Sequence, residues 1–225
     1  MFQTMKEKHI LSDNQRRLLS LLSSQKTIAD NFYLSGGTAL AEFYLKHRFS
    51  EDLDFFSENE FEPQSISVIL KKIGKQAGVK NIRFEQSFNR NLFFLELSED
   101  NIKTEFTYFP FPRIEFGKKF EKLKVDSMFD IAVNKIFTIY QKPRSRDFID
   151  LYFILREKKE WTIAQLAASA KIKFDHHIDL LQLGARFISA EELKDYPRMV
   201  APLEHKKWQE FFKKEAEKFS NEILN

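Results

Sequence analysis

Two aspartates stand two residues apart in the run Glu51-Asp52-Leu53-Asp54-Phe55. On an extended segment successive side chains alternate, so both carboxylates leave one face while Leu53 and Phe55 turn to the other. Two carboxylates on one face repel each other unless a cation lies between them. Mg²⁺ suits that place, because it takes hard oxygen ligands and leaves room for substrate phosphates. A little upstream, Ser35-Gly36-Gly37-Thr38 joins a short apolar strand to a helix. Glycines let backbone N–H groups approach a phosphate, and a helix start adds a favourable partial charge. Either piece alone is commonplace: Gly-Gly is usually a turn, and Asp-x-Asp is usually solvated. Together they make a compact strand–turn–helix–strand unit that sets a triphosphate beside its metal.

The elements that must hold these residues can be read from periodicity. Ser12 to Ser24 has helical spacing, Phe32 to Leu34 reads as a strand, and Thr38 to His47 as a helix apolar nearly all round, hence buried. Leu53 to Ser57 reads as a strand and Pro63 to Gln76 as an amphipathic helix. Leu92 to Leu97 and Ile102 to Tyr108 form a hairpin about the polar turn Ser98-Glu99-Asp100-Asn101. From about Val125 the pattern is helical: Ser127 to Tyr140, Arg146 to Glu157, Thr162 to Ala170 with Thr162 and Gln165 as a capping pair, Ile178 to Phe187, and His205 to Ile223. The expectation is an α+β chain. Residues 1–124 form an α/β domain with a mixed sheet flanked by helices, and residues 125–225 form a helical bundle.

Composition narrows the chemistry. The 225 residues, 43% hydrophobic, are enough for a real core, and the 25 phenylalanines read as part of it. A net charge of +3 permits a nucleotide or nucleic-acid partner without demanding one. The absence of cysteine excludes disulfides, thiolate nucleophiles and Cys-ligated zinc. No apolar run reaches the roughly 20 residues that cross a bilayer. The charged N-terminus lacks the apolar core of a leader peptide, so a soluble, cytoplasmic protein is expected.

The stretch LSGGTALAEFYLKHRFSEDLDFF, Leu34 to Phe56, resembles the signature of the nucleotidyltransferase superfamily related to DNA polymerase beta. More narrowly, Gly36 to Leu40 and His47 to Phe55 are similar to the AbiEii/AbiGii-type toxin family. DIAVNKIFTIYQKPRSRDFIDLYFIL, Asp130 to Leu155, is similar to that family's later motifs at Asp130, Lys135, Arg146, Asp147, Asp150 and Leu151. The resemblance implies a pyrophosphate-releasing nucleotidyltransferase using Mg²⁺ or Mn²⁺. Asp52 and Asp54 would be its catalytic metal ligands, and Ser35, Gly36, Gly37 and Thr38 would hold the nucleotide. Lys135 and Asp147 would be contributed to the active-site cleft by the helical domain, Lys135 facing phosphate and Asp147 a candidate general base. It further implies a toxin of a toxin–antitoxin or phage-defence system, a cognate antitoxin, and an RNA acceptor such as a tRNA 3′ end.

His47, Arg48 and Ser50 lie within the motif and are read as facing a phosphate. A third carboxylate is usual in the superfamily, and Glu105 is its candidate, since Lys103, Glu105 and Thr107 alternate against Ile102, Thr104 and Phe106. Asp150 reads as structural, a partner for Arg144 or Arg146. His176, His177 and His205 read as surface residues. Lys206, Lys207, Lys213 and Lys214 form a solvated helix face that has the charge to meet RNA. Three other functions stay open: transfer to a small molecule or protein, a two-metal nuclease, and a non-catalytic nucleotide-binding module.

Overall fold

In the computed structural model, which describes residues 9–223, the chain divides into two units. One runs up to Pro110 and takes in Gly117–Asp126; the other comprises Phe111–Phe116 and the residues from Ser127 on. The first eight residues, on which the expected lack of a leader rests, lie outside the described residues.

The first unit opens with α1 (Asp13–Ser23), started by a reciprocal capping box between Ser12 and Gln15. Then come α2 (Lys26–Asn31), β1 (Tyr33–Ser35) and α3 (Gly36–Leu40). α3 continues as a π-helical turn, Ala41–Leu45, that ends on Lys46 in the left-handed region. β2 (Asp52–Ser57), α4 (Pro63–Ala77), β3 (Asn81–Ser87), β4 (Arg90–Glu96), β5 (Asn101–Tyr108), β6 (Lys119–Phe120) and β7 (Leu123–Val125) complete it. The sheet order is β3-β4-β5-β2-β1-β7-β6. β2 pairs with β5, and β1 with β7, in parallel; the other pairings are antiparallel. The sheet is thus mixed and the chain α+β, as its patterning requires.

Alternation decides which face is which. Along β2, Leu53 and Phe55 are fully buried while Asp52, Asp54 and Phe56 are half-buried. Beneath the carboxylate strand lies a chain of phenylalanines. Phe55 stacks on Phe106 at 4.7 Å, and Phe106 meets Phe32 and Phe93 edge-on at 5.2 and 5.9 Å. Fully burying each ring contributes about 2–3 kcal/mol to the stability of this floor. Leu18, Leu19 and Leu22 of α1, and Ile66, Leu70 and Ile73 of α4, are buried on the facing stripes of two helices that pack together.

The second unit contains α5 (Met128–Gln141), α6 (Ser145–Glu157), α7 (Ile163–Phe174), α8 (Leu180–Ile188) and α9 (His205–Ile223). Thr162 caps α7 by accepting from the Gln165 N–H. Its core is again aromatic: Phe148 packs on Trp208 and Phe212, and Phe212 on Phe187. Among the described residues no helix is long and apolar enough to cross a membrane.

Candidate active site

Asp52 and Asp54 leave the same face of β2 and remain half-exposed, as alternation dictates. Their neighbours are fixed by register. On one side, Asp54 lies opposite Ser35 of β1, the last residue before the two glycines. On the other, Asp52 lies beside Lys103 and Asp54 beside Glu105 of β5. Lys103 Nζ is 2.7 Å from Asp52 Oδ2.

Gly36 and Gly37 are required by close approach. Gly36 has φ +72°, and a Cβ there would overlap Asp54 Oδ2 and stand 3.3 Å from its Cγ. A Cβ on Gly37 would overlap the Arg48 guanidinium and lie 3.3 Å from Ser50 Oγ. The backbone of the turn is therefore pressed directly against two motif side chains. Thr38 closes the same loop: its hydroxyl donates to Ser50 Oγ at 2.8 Å and touches the Asp52 carbonyl. Ser35 Oγ donates to the buried Asp126 at 2.7 Å. Arg48 is buried and donates to the Phe49 carbonyl. Thr38 thus ties the turn to Ser50 and to β2, Ser35 ties it to Asp126, Arg48 and Ser50 lie against Gly37, and the half-buried glycines present backbone. His47 is buried beside Arg48. Within the helix that follows, Glu42 is buried and accepts from the Ile10 and Leu11 N–H groups and from Arg16, pinning the N-terminal segment to the π turn.

Glu105 is engaged at both oxygens. Oε1 accepts from Arg90 Nε at 2.6 Å and from Thr107 Oγ1 at 2.8 Å; Oε2 accepts from Arg90 Nη2 at 2.5 Å. Burial pushes its carboxyl up, but the hydrogen bonds from Arg90 and Thr107 outweigh burial and hold it below the usual range. The hydrogen bond to Glu105 raises Arg90 in turn, with Asp54 and Asp52 adding to it. Among the described residues no three His, Asp or Glu side chains converge as a metal site. What the donor set offers a metal is the pair Asp52 and Asp54, and that fits Mg²⁺, which is commonly held by one or two carboxylates with water and substrate phosphates filling the rest.

In the helical unit, Lys135 of α5 is buried between Asp147 and Asp150 of α6, with Nζ 2.7 Å from an oxygen of each. Asp150 therefore pairs with a lysine, where the sequence suggested Arg144 or Arg146. Asp147 also accepts from Arg144 Nε at 3.0 Å. Burial raises the Asp147 carboxyl, yet Lys135 and Arg144 together keep it below its ordinary value. Asp130, which the sequence reading placed in the motif without a role, is fully buried. It accepts from the Ile114 and Glu115 N–H groups, Ser127 Oγ and Lys173 Nζ, so it ties residues 111–116 and α7 to α5. Arg90 and Lys103 were missed. Lys206, Lys207, Lys213 and Lys214 are exposed; Lys207 and Lys213 have loose carboxylate neighbours at 3.5 and 3.8 Å.

A Gly-Gly turn locked beside an Asp-x-Asp strand in a mixed sheet is the arrangement of a nucleotidyltransferase, and the chain is one. Residues 17–222 match the family described as nucleotidyl transferase AbiEii toxin, type IV TA system. The chain belongs to that family. It is 31% identical over 215 residues to the uncharacterised protein aq_aa25 of Aquifex aeolicus (strain VF5), covering 93% of this chain and 97% of that one. Two Helicobacter pylori structures share the fold at 19% identity. One is JHP933, with TM-score 0.57 and coverage of 95% and 98% of the two chains; the other is a protein proposed to be a nucleotidyltransferase, with TM-score 0.58 and coverage of 93% and 99%.

Proposed function

We propose that this nucleotidyltransferase moves a nucleoside monophosphate from a nucleoside triphosphate to the 3′ hydroxyl of an RNA, such as a tRNA. It would act in the cytoplasm as the toxin of a toxin–antitoxin or phage-defence pair, checked by a cognate antitoxin. The observation that carries this is the seating of the Gly36 backbone directly against Asp54, which sets the backbone of the glycine turn immediately beside the paired carboxylates. Support for an RNA acceptor comes from the exposed cations beyond them on the sheet, Lys103 and Arg90.

The acceptor oxygen forms a bond to the α-phosphorus as the bond from that phosphorus to the bridging oxygen breaks. Pyrophosphate leaves, and the hydroxyl proton passes to a base. Mg²⁺ or Mn²⁺ bound by Asp52 and Asp54 would supply neutralisation of the charge that gathers on the phosphates. The protein's own part is positioning. Gly36 and Gly37 present backbone to the distal phosphates, and Thr38, Arg48 and Ser50 hold that backbone still. Lys135 and Asp147 are the helical unit's proposed contribution, as phosphate counter-charge and base. In the resting protein they are paired, so taking part requires the pair to open.

The test is incubation of the purified protein with Mg²⁺, each α-labelled nucleoside triphosphate and total tRNA, beside an Asp52→Ala/Asp54→Ala control. Label entering RNA only with intact carboxylates is the expected result. Nucleotide bound but no label in RNA moves the acceptor to a small molecule or protein; RNA shortened without pyrophosphate release would replace the reading with a nuclease.

A further inference from the structure

The face that carries Asp52 and Asp54 continues across three more strands. Register sets Lys103 and Glu105 beside the aspartates. On β4 it sets Phe94, Leu92 and Arg90 beside Lys103, Glu105 and Thr107. On β3 it sets Arg83 beside Phe94. Side chains at registered positions share a face. That face therefore runs from the carboxylates across Lys103 to Phe94, whose ring lies 4.0 Å beneath the Arg83 guanidinium, and across Glu105 and Thr107 to Arg90 at the other end of β4. The side chains of Lys103, Arg90 and Arg83 keep 30%, 52% and 54% of their exposure, although Lys103 pairs with Asp52, Arg90 with Glu105 and Arg83 with Glu85.

Resting on the nucleotidyl-transfer reading above, we infer that Arg90 is a phosphate-binding residue for the acceptor strand, and that Glu105 is its anchor and not a third metal ligand. Three observations carry this. Glu105 accepts three hydrogen bonds from Arg90 and Thr107. A metal there would have to break a bidentate guanidinium–carboxylate pair, the strongest kind of side-chain hydrogen bonding. Secondly, Arg90 uses only Nε and one N–H of Nη2 on Glu105. Its other edge, Nη1 and the outward N–H of Nη2, makes no protein hydrogen bond among the described residues, and a planar fork of this kind matches a phosphate. Thirdly, Arg90 lies on the correct side. The glycine turn that faces the triphosphate follows β1, and Arg90 is on β4; β2 and its carboxylates stand between them. In-line displacement puts the leaving pyrophosphate and the incoming hydroxyl on opposite sides of the α-phosphorus. A triphosphate on the glycine side therefore brings the acceptor in over β5 and β4. Adjacent strands are about 4.8 Å apart, so Arg90 and Phe94, at the two ends of β4, are each about 10 Å from the carboxylate strand, and Arg83 on β3 is one strand farther. Cations interleaved with an aromatic face are what single-stranded RNA tracks use.

The experiment uses the full chain and four proteins: wild type, Arg90→Gln, Glu105→Gln and the double variant. Circular dichroism melts establish that each is folded. With Ca²⁺ in place of the catalytic ion, fluorescence anisotropy measures binding of a labelled single-stranded oligoribonucleotide bearing a 3′ hydroxyl. Equilibrium dialysis measures nucleoside triphosphate, and electron paramagnetic resonance measures Mn²⁺. Each single variant is expected to weaken oligoribonucleotide binding about tenfold, the weight of one charged hydrogen-bonded contact, and the double variant no further. Mn²⁺ and triphosphate binding stay at wild-type values. Loss of Mn²⁺ in Glu105→Gln would make Glu105 a metal ligand and overturn the assignment. Loss of triphosphate binding in Arg90→Gln, with RNA unaffected, would place Arg90 on the incoming nucleotide and overturn it equally. A wild type that binds no triphosphate at all removes the parent reading, a failure distinct from either.

Discussion

Gly36 and Asp54 are in contact: the carboxylate of the second occupies the space that a side chain on the first would take. This ties the glycine turn to the carboxylate strand without any intervening group. Gly36→Ala meets two obstacles, the positive φ and the overlap. The first costs about 1–2 kcal/mol for an L residue. The second moves Asp54. The variant is expected to fold with a lowered melting temperature, and to lose roughly 100-fold or more in nucleotide transfer, since small misplacements of a reacting centre cost that much. Mn²⁺ titration separates the causes: weakened Mn²⁺ binding reports the displaced carboxylate, whereas unchanged binding would mean that Asp54 has not moved.

The Lys135–Asp147–Arg144 cluster gives a pH prediction. Asp147 is held below its ordinary value in the folded protein, after Lys135 and Arg144 overcome the burial that opposes them. A carboxylate depressed on folding contributes stability that is fully present above the unfolded value, about 3.9 for Asp, and that is lost as pH falls through the folded value. Melting temperature should hold steady down to about pH 4 and fall below it. Asp147→Asn should flatten that fall, because the side chain no longer titrates, while leaving the protein less stable at pH 7. A slope as steep as wild type below pH 4 would remove Asp147 from the acid sensitivity.

Asp130 and Lys173 form a fully buried pair, and Asp130 also receives two backbone N–H groups from residues 114 and 115. Removing one partner leaves the other's buried charge without its counter-charge. Lys173→Met is expected to cost about 3–5 kcal/mol in denaturant unfolding, and Asp130→Asn a similar amount. The double variant should recover part of the loss, because no buried charge is left alone; simple additivity would show that the two do not interact.

The carboxylate strand was legible because alternation alone determines it: Asp52 and Asp54 out, Leu53 and Phe55 in. The β4–β5 hairpin was legible for the same reason, and the main helices from their helical spacing. β3 was not, since Ile82 and Phe84 alternate with Asn81, Arg83 and Glu85 only briefly before Gln86 and Ser87 break the pattern, and nearly every position is exposed, as an edge strand allows. β6 and β7 are too short to show a period. Arg90 was missed because a strand begun at Leu92 leaves it outside the sheet; two residues more of pairing place it opposite Thr107. The roles of Gly36 and Gly37 as seats for Asp54 and Arg48 depend on contacts across the sheet and the loop, which spacing does not encode.

Lys103 supplies the last prediction. Its ammonium lies 2.7 Å from Asp52 Oδ2, on one of the two carboxylates proposed to hold the divalent ion. A tethered cation of this kind relieves the repulsion between the paired carboxylates when no metal is bound, and it must be pushed aside when one arrives. Lys103→Met keeps the length of the stem and removes the charge. Mn²⁺ should then bind the protein more tightly, by several-fold to about tenfold, the weight of one partly exposed charge pair. Binding of the oligoribonucleotide should weaken, because the same lysine, once released from Asp52, lies on the acceptor side of the carboxylates. Opposite movement of the two affinities is what separates this from a merely structural lysine, whose loss would lower both together or neither.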